Sequence, residues 1–174
     1  MVLSTVQQKF ILHWGEMGTR WGINRTVAQI HALLYISSKP LPAEVLANTL
    51  GVARSNISTS LKELQGWGIV KRVHVLGDKR DHFESMKDVW EMFRIVLDER
   101  KKREIDPTLA VLRACIAEAG KNKQSDPYTQ ERLQTLCDFF ETTTAWYGQL
   151  RQMPATALTR FVKLGGKVRS LLGR

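Results

Sequence analysis

The stretch from Leu41 to Glu84 constrains this chain more than any other. It reads as a short helix, a glycine turn, a second helix with an uncovered polar face, and a basic hairpin. Val45, Leu46 and Leu50 give Ala43 to Leu50 a helical period, and Gly51 stands where a helix ends by turning left-handed. In the helix that begins at Arg54, Ile57, Leu61 and Leu64 fall at i, i+4 and i+7 and form one inward stripe. At about 100° per residue, Ser55, Thr59 and Lys62 lie on the opposite side, flanked by Arg54, Asn56 and Ser58.

An ordinary solvated helix face is rich in Glu and Lys. Here Ser55, Asn56, Ser58, Thr59 and Ser60 crowd a helix interior in which such residues are poor helix formers. Small hydroxyls and an amide admit close approach to base edges, and Arg and Asn match guanine and adenine bidentately. The pattern therefore favours a partner, double-stranded DNA, over water on that face. Trp67 follows and reads as a structural ring closing this helix on the next strand. Ile69 to Leu76 is β-branched and reads as a strand; Gly77-Asp78 is a turn signal, and His82 to Ser85 is the expected return strand. That reading puts Lys79 and Arg80 at or near the hairpin tip, where two cations suit phosphate or minor-groove contact.

These residues resemble the MarR superfamily of winged-helix regulators, in its GbsR-type branch. The resemblance rests on Asn24-Arg25-Thr26, on Pro42 to Leu64, on Trp67 to Val70, on Gly77 to Glu84, on Asp88 to Met92 and on Arg100 to Pro107. It spans about residues 5 to 120, and only a helical pattern continues beyond. It implies a mainly α fold, a winged helix-turn-helix with a two-stranded β wing, and a C-terminal helical dimerisation arm. It also implies a homodimer, a DNA operator, usually repression, and a small-molecule effector such as choline or glycine betaine. One departure is Ala53, where the family often has a serine that caps the recognition helix.

The organisation expected is a DNA-binding domain over residues 1–86 and an arm over 87–174. Thr5 to Trp14 reads as a first helix and Gly15 to Gly22 as a break; Asn24 caps a helix from Arg25 to Ser37, and Lys39 to Pro42 is an extended link. In the arm, Val89, Trp90, Phe93, Val96 and Leu97 stripe one helix. Asp106-Pro107 and Asp126-Pro127 each look like a cap followed by proline, so a helix or a kink should start at both. Leu133, Leu136, Phe140, Thr143, Tyr147 and Leu150 alternate by three and four, a coiled-coil-like seam, and Leu158, Phe161, Val162, Val168, Leu171 and Leu172 stripe a last helix after Pro154. Leu133, Leu136, Phe140, Tyr147, Leu150, Leu158 and Phe161 are thus the expected dimerisation residues, pairing across a twofold axis. An intramolecular bundle is the competing arrangement.

Composition agrees with this class. An apolar share of 43% supports a folded chain of 174 residues, and a net charge of +9 favours a polyanionic partner. The excess lies in residues 1–86 and in 151–174, the latter without any acid. No apolar run is long enough to span a bilayer and no secretory pattern opens the chain, so a cytoplasmic location is expected. Cys115 and Cys137 read as packing thiols. His13, His31, His74 and His82 are scattered without metal-ligand spacing, and no nucleophile or phosphate-cradling motif appears; no enzyme, metal or cofactor is expected. Trp14, Trp21 and Trp90 are the candidates for an effector cage around a quaternary ammonium, meeting where domain and arm join, against the plainer reading that they are core. A winged-helix module that binds protein and lacks sequence-specific DNA binding is the functional alternative.

Overall fold

In the computed structural model, residues 1–121, 126–154, 156–162 and 164 are described. They form two compact units, Met1–Ile95 and Val96–Arg174, divided within a helix.

Ser4 and Gln7 form a reciprocal capping box at the start of α1, Thr5–Arg20. The helix does not break at Gly15 as expected from sequence. Gly15 and Gly18 are buried within it, because helix α2 (Arg25–Ile36) passes too close for side chains. A Cβ on Gly18 would stand 2.5 Å from Ala28 Cβ, and one on Gly15 would stand 2.7 Å from Gln29 Cγ. The close α1–α2 packing offsets the roughly 1 kcal/mol that glycine costs within a helix. Asn24 caps α2 by accepting from the Thr26 amide, as the sequence indicates.

Leu41–Pro42 is a short strand, β1, in which Pro42 is also the N-cap of α3 (Ala43–Leu50). Gly51 takes φ 65° and ψ 33°, and the chain turns into α4, Arg54–Gly66. Strands β2 (Val70–Val75) and β3 (Asp78–Ser85) form the wing hairpin. The sheet has three antiparallel strands in the order β1-β3-β2, so the two-stranded wing is extended by Leu41 pairing with Phe83 and Pro42 with His82. Ile30, Leu33, Leu34, Leu46, Ile57 and Leu64 form the fully buried centre of this unit, with Ile69, Val70 and Phe83 closing the sheet side.

Asp88 accepts from the amides of Trp90 and Glu91 and so caps α5, Val89–Arg100. Met92 and Ile95 pack on the winged-helix core. The backbone then passes through a π turn, Lys101–Ile105, into α6, Asp106–Lys121. Asp106 is therefore not the expected cap: it has helical φ and ψ, and its carboxylate pairs with Lys101. Pro107 cannot donate a backbone hydrogen bond, and its ring would collide with the carbonyl four residues back in a regular helix. The wider π turn just before it relieves that collision, and the Thr108 hydroxyl bonds to the Glu104 carbonyl.

Asp126-Pro127 does start a helix. Asp126 accepts from Tyr128 and Thr129, and α7 runs Pro127–Gln152. Leu109, Leu112 and Cys137 form the core between α6 and α7, with Ile105, Ile116, Leu133 and Phe140 against it. The Tyr147 hydroxyl bonds to Asp98 at 2.8 Å and Arg151 pairs with the same carboxylate at 2.9 Å. Residues 156–162 are helical; Val168, Leu171 and Leu172, expected on the last stripe, lie outside the described residues.

Candidate nucleic-acid interface

Helix α4 sorts its residues as the spacing requires. Ile57, Ser60, Leu61 and Leu64 are buried, whereas Arg54, Ser55, Asn56, Ser58, Thr59 and Lys62 are all exposed. The exposed set forms a continuous polar surface on a rigid apolar base, the requirement for close approach to base edges. Ala53 occupies the N-cap with φ −58° and ψ 142° and provides no side-chain bond, so the first amides of α4 are left without an intramolecular side-chain partner there.

The wing departs from the expectation in one respect. Val75 pairs with Asp78, so the chain reverses at Leu76-Gly77, where Gly77 adopts φ 86°. Only glycine takes that left-handed backbone without strain, so the turn comes one residue early and Asp78 already belongs to β3. Lys79 and Arg80 consequently stand along β3 and not at the tip, which is the fully exposed Leu76.

Most cations of this surface are held by carboxylates. Arg54 pairs with Glu44 at 2.6 Å, Lys71 with Glu84 at 2.8 Å, and Arg72 with Asp81 at 3.2 Å. Arg80 pairs with Asp78 at 2.6 Å and reaches Glu44 at 3.6 Å. The hydrogen bonds from Arg80 to the Asp78 carboxylate hold that carboxyl well below the usual range and, reciprocally, raise the guanidinium above its own. Among the described residues, Lys62 and Lys79 have no ion-pair partner. Between α4 and the wing lies a groove of about 520 Å³ lined by Glu44, Arg54, Ser58, Lys62, Arg72 and Arg80, among others. The buried His82 ring, with Nδ1 2.9 Å from the Arg80 carbonyl, fixes the backbone beneath it.

Two residues here escaped the sequence reading. Glu44 precedes Arg54 by ten positions, a spacing with no helical meaning, and only the turn at Gly51 brings the two together. Lys87 donates from Nζ to the carbonyls of Leu34, Tyr35 and Ser37 at 3.1, 2.7 and 3.1 Å, and lies 5.5 Å from the Tyr35 ring centre. A cation there satisfies the last carbonyls of α2 and complements its dipole, anchoring the chain where it leaves the wing.

The three tryptophans expected to meet are separate in their contacts. Trp14 packs against Phe10 and His31 with ring centres 5.3 and 6.4 Å apart; Trp90 makes an edge contact with Phe93; Trp21 is half exposed at the end of α1. Among the described residues, no ring contact joins any two of Trp14, Trp21 and Trp90. His31 is buried between Trp14 and Tyr35, and its Nε2 has no hydrogen-bond partner. Burial first and the Lys87 charge second lower its pKa from 6.5 to about 4.

Within the second unit, the expected seam divides between two faces. Leu133 and Phe140 pack on the α6–α7 core, and Tyr147 is half-buried. Leu136 is 45% exposed, as are Phe139 and Trp146 at 59% and 55%. Leu150 is half-buried, Leu158 buried and Phe161 40% exposed. A separate cleft of about 430 Å³ is lined by Leu97, Phe139, Phe140 and Tyr147, with Arg100 and Lys101 at its edge. Burial, and then the neighbouring Glu141, pushes the Cys137 thiol up, so it stays protonated and serves packing; Cys115 is exposed. Among the described residues, no group of three or more His, Cys, Asp or Glu is placed to hold a metal ion, and no helix is long and apolar enough to cross a membrane.

Comparison with known proteins agrees with this geometry. Residues 21–81 match the MarR family, a span that runs from the end of α1 through the start of β3. The chain is 21% identical to the HTH-type transcriptional repressor GbsR of Bacillus subtilis over 142 residues, 80% of this chain and 78% of that protein. It is 22% identical to the putative HTH-type transcriptional regulator YvaV of the same organism over 92 residues, 53% of this chain and 52% of that protein. A crystal structure of a transcriptional regulator superimposes with a TM-score of 0.64 at 19% identity, covering 91% of this chain and 99% of the other, which shows a shared fold. The two-helix unit, the wing and the family match over 21–81 together show that this chain carries a MarR-type winged helix, similar to the GbsR repressor over most of its length.

Proposed function

We propose that the protein is a dimeric, sequence-specific transcription repressor. The observation that carries this is the exposed Arg54, Ser55, Asn56, Ser58, Thr59 and Lys62 surface of α4, set on a fully buried Ile57–Leu64 stripe beside a cation-bearing wing. In this reading α4 enters the major groove, while Lys79 and Arg80 meet the flanking minor groove or phosphates. Fluorescence anisotropy on the DNA upstream of its own gene, against scrambled DNA at two salt concentrations, tests it. A preference of roughly 10³ or more for the upstream DNA is expected. Equal binding to both, lost steeply with salt, would instead support backbone attraction alone and the protein-binding alternative. Arg80→Ala should weaken operator binding and leave the oligomer intact.

The dimer reading rests on the apolar residues that one chain leaves exposed on α7. Leu136, Phe139 and Trp146 are exposed, and with Thr143 and the half-buried Leu150 they alternate by three and four residues, a coiled-coil stripe offset from the one that packs on α6. A twofold pairing through this stripe would present two α4 helices to half-sites roughly 34–36 Å apart. Sedimentation should give a dimer that Leu136→Glu dissociates; a wild-type monomer at micromolar concentration would refute it.

Choline and glycine betaine, the effectors suggested by the family resemblance, belong to the same proposal. Titration with each should release the operator complex and perturb tryptophan fluorescence. Loss of the response in Trp14→Phe would favour the α1–α2 aromatics as the site, and its loss in Tyr147→Phe would favour the α7 cleft.

A further inference from the structure

We infer that Glu44 sets the discrimination between operator and other DNA by holding Arg54 and Arg80 away from indiscriminate phosphate contact. This rests on the DNA-binding reading above. Glu44 lies in the first turn of α3, and its two carboxylate oxygens engage the first residue of the recognition helix and a residue of the wing: Oε1 is 2.6 Å from Arg54 and Oε2 is 3.6 Å from Arg80. One carboxylate thus bridges the two elements that must move onto DNA together.

Glu44 and both arginines are substantially exposed, at 44% for the Glu44 side chain against 75% and 54% for Arg54 and Arg80. An exposed pair of this kind is weak enough for a phosphate or a base edge to displace. While intact, it occupies guanidinium donors that any phosphate would otherwise take. Non-specific binding comes almost wholly from phosphate neutralisation, so the internal carboxylate opposes it directly. In a specific complex the base contacts of Ser55, Asn56, Ser58 and Thr59 do not require Arg54 or Arg80 to leave Glu44, so the competing acid costs operator binding less free energy than it costs binding driven by phosphates alone. A repulsive or competing element aimed at wrong partners is a recognised route to specificity. Asp78 and Asp81 hold Arg80 and Arg72 within the wing, but only Glu44, among the described residues, links α4 to β3 by ion pairs.

The test is Glu44→Gln in the full-length protein, measured by anisotropy on operator and scrambled DNA across a salt series. Circular dichroism confirms folding. Scrambled-DNA affinity should rise about fivefold, near the ceiling for one exposed ion pair, and its salt dependence should steepen by about one to two counterions. Operator affinity should rise less, so the specificity ratio falls. In an Arg54→Ala, Arg80→Ala background, Glu44→Gln should have little effect, because there is nothing left to release. An unchanged or reduced affinity for scrambled DNA would overturn the inference, as would a rise of equal size in the double-alanine background, which would mark general charge removal. If the wild type showed no DNA binding at all, the proposed function would fail and this inference with it. Wild-type operator binding with an inert Glu44→Gln would overturn only the inference.

Discussion

His31 should give this protein an acid-sensitive stability whose size follows from its surroundings. The ring is 94% removed from solvent, between Trp14 and Tyr35, with Nε2 unpartnered and the Lys87 ammonium nearby. Its pKa is lowered from 6.5 to about 4, so the unfolded chain takes up the proton first as pH falls. The stabilisation from the neutral buried ring is complete above pH 6.5, declines as pH falls through that value, and is exhausted near pH 4. At about 1.4 kcal/mol per pH unit, the loss is roughly 2 kcal/mol at pH ~5 and about 3 kcal/mol at pH ~4. That is a large part of the roughly 5–15 kcal/mol by which domains are stable. The carboxyls of Asp126 and Glu104, whose pKa values are also lowered, act in a more acidic window, below their ordinary 3.8 and 4.5. Urea unfolding at pH 7, 6 and 5 measures the effect. In His31→Phe, which keeps an aromatic ring but cannot titrate, stability should be nearly flat from pH 7 to 5, whatever the absolute cost of the larger ring. A variant that loses as much stability as the wild type between those pH values would refute the argument. Lys87→Met should narrow the window, since removing the neighbouring charge raises the folded-state pKa of His31.

Three further outcomes are expected. Gly18→Ala should destabilise by about 1–3 kcal/mol despite alanine's better helix propensity, because its Cβ meets that of Ala28, which has no rotamer to yield; adding Ala28→Gly should recover part of the loss in thermal melts. Ala53→Ser should stabilise by about 1 kcal/mol by providing the missing cap of α4, and an unchanged melting temperature would show that the cap is not formed. Asp126→Ala should cost about 1 kcal/mol, detected as a lower melting temperature, by removing the bonds to the Tyr128 and Thr129 amides.

The recognition helix was legible because burial and exposure on an isolated amphipathic helix follow from spacing alone. Ile57, Leu61 and Leu64 could only face one way and Ser58, Thr59 and Lys62 the other, while Ser60, counted with the polar set, turns inward beside Leu61. The same rule misled at Gly15 and Gly18, where glycine suggested a break; a partner helix close by turned the missing Cβ into a packing advantage. It was ambiguous on α7, where two stripes of equal spacing run side by side and only α6 decides that Leu133 and Phe140 are covered while Leu136 is not. Turn chemistry was read one residue out at Gly77, which moved Lys79 and Arg80 from the tip into a strand.

Periodicity, caps and breakers are local, so the amino-acid sequence by itself determined the helix-turn-helix, the wing, the caps at Asn24 and Asp126, and the exposed polar face of α4. Ion pairs and helix-end contacts between residues far apart in the chain have no period. That Glu44 bridges Arg54 and Arg80, that Lys87 closes the end of α2, and that His31 is buried beside it were decided only by the tertiary structure, because each depends on where separate elements come to rest against one another.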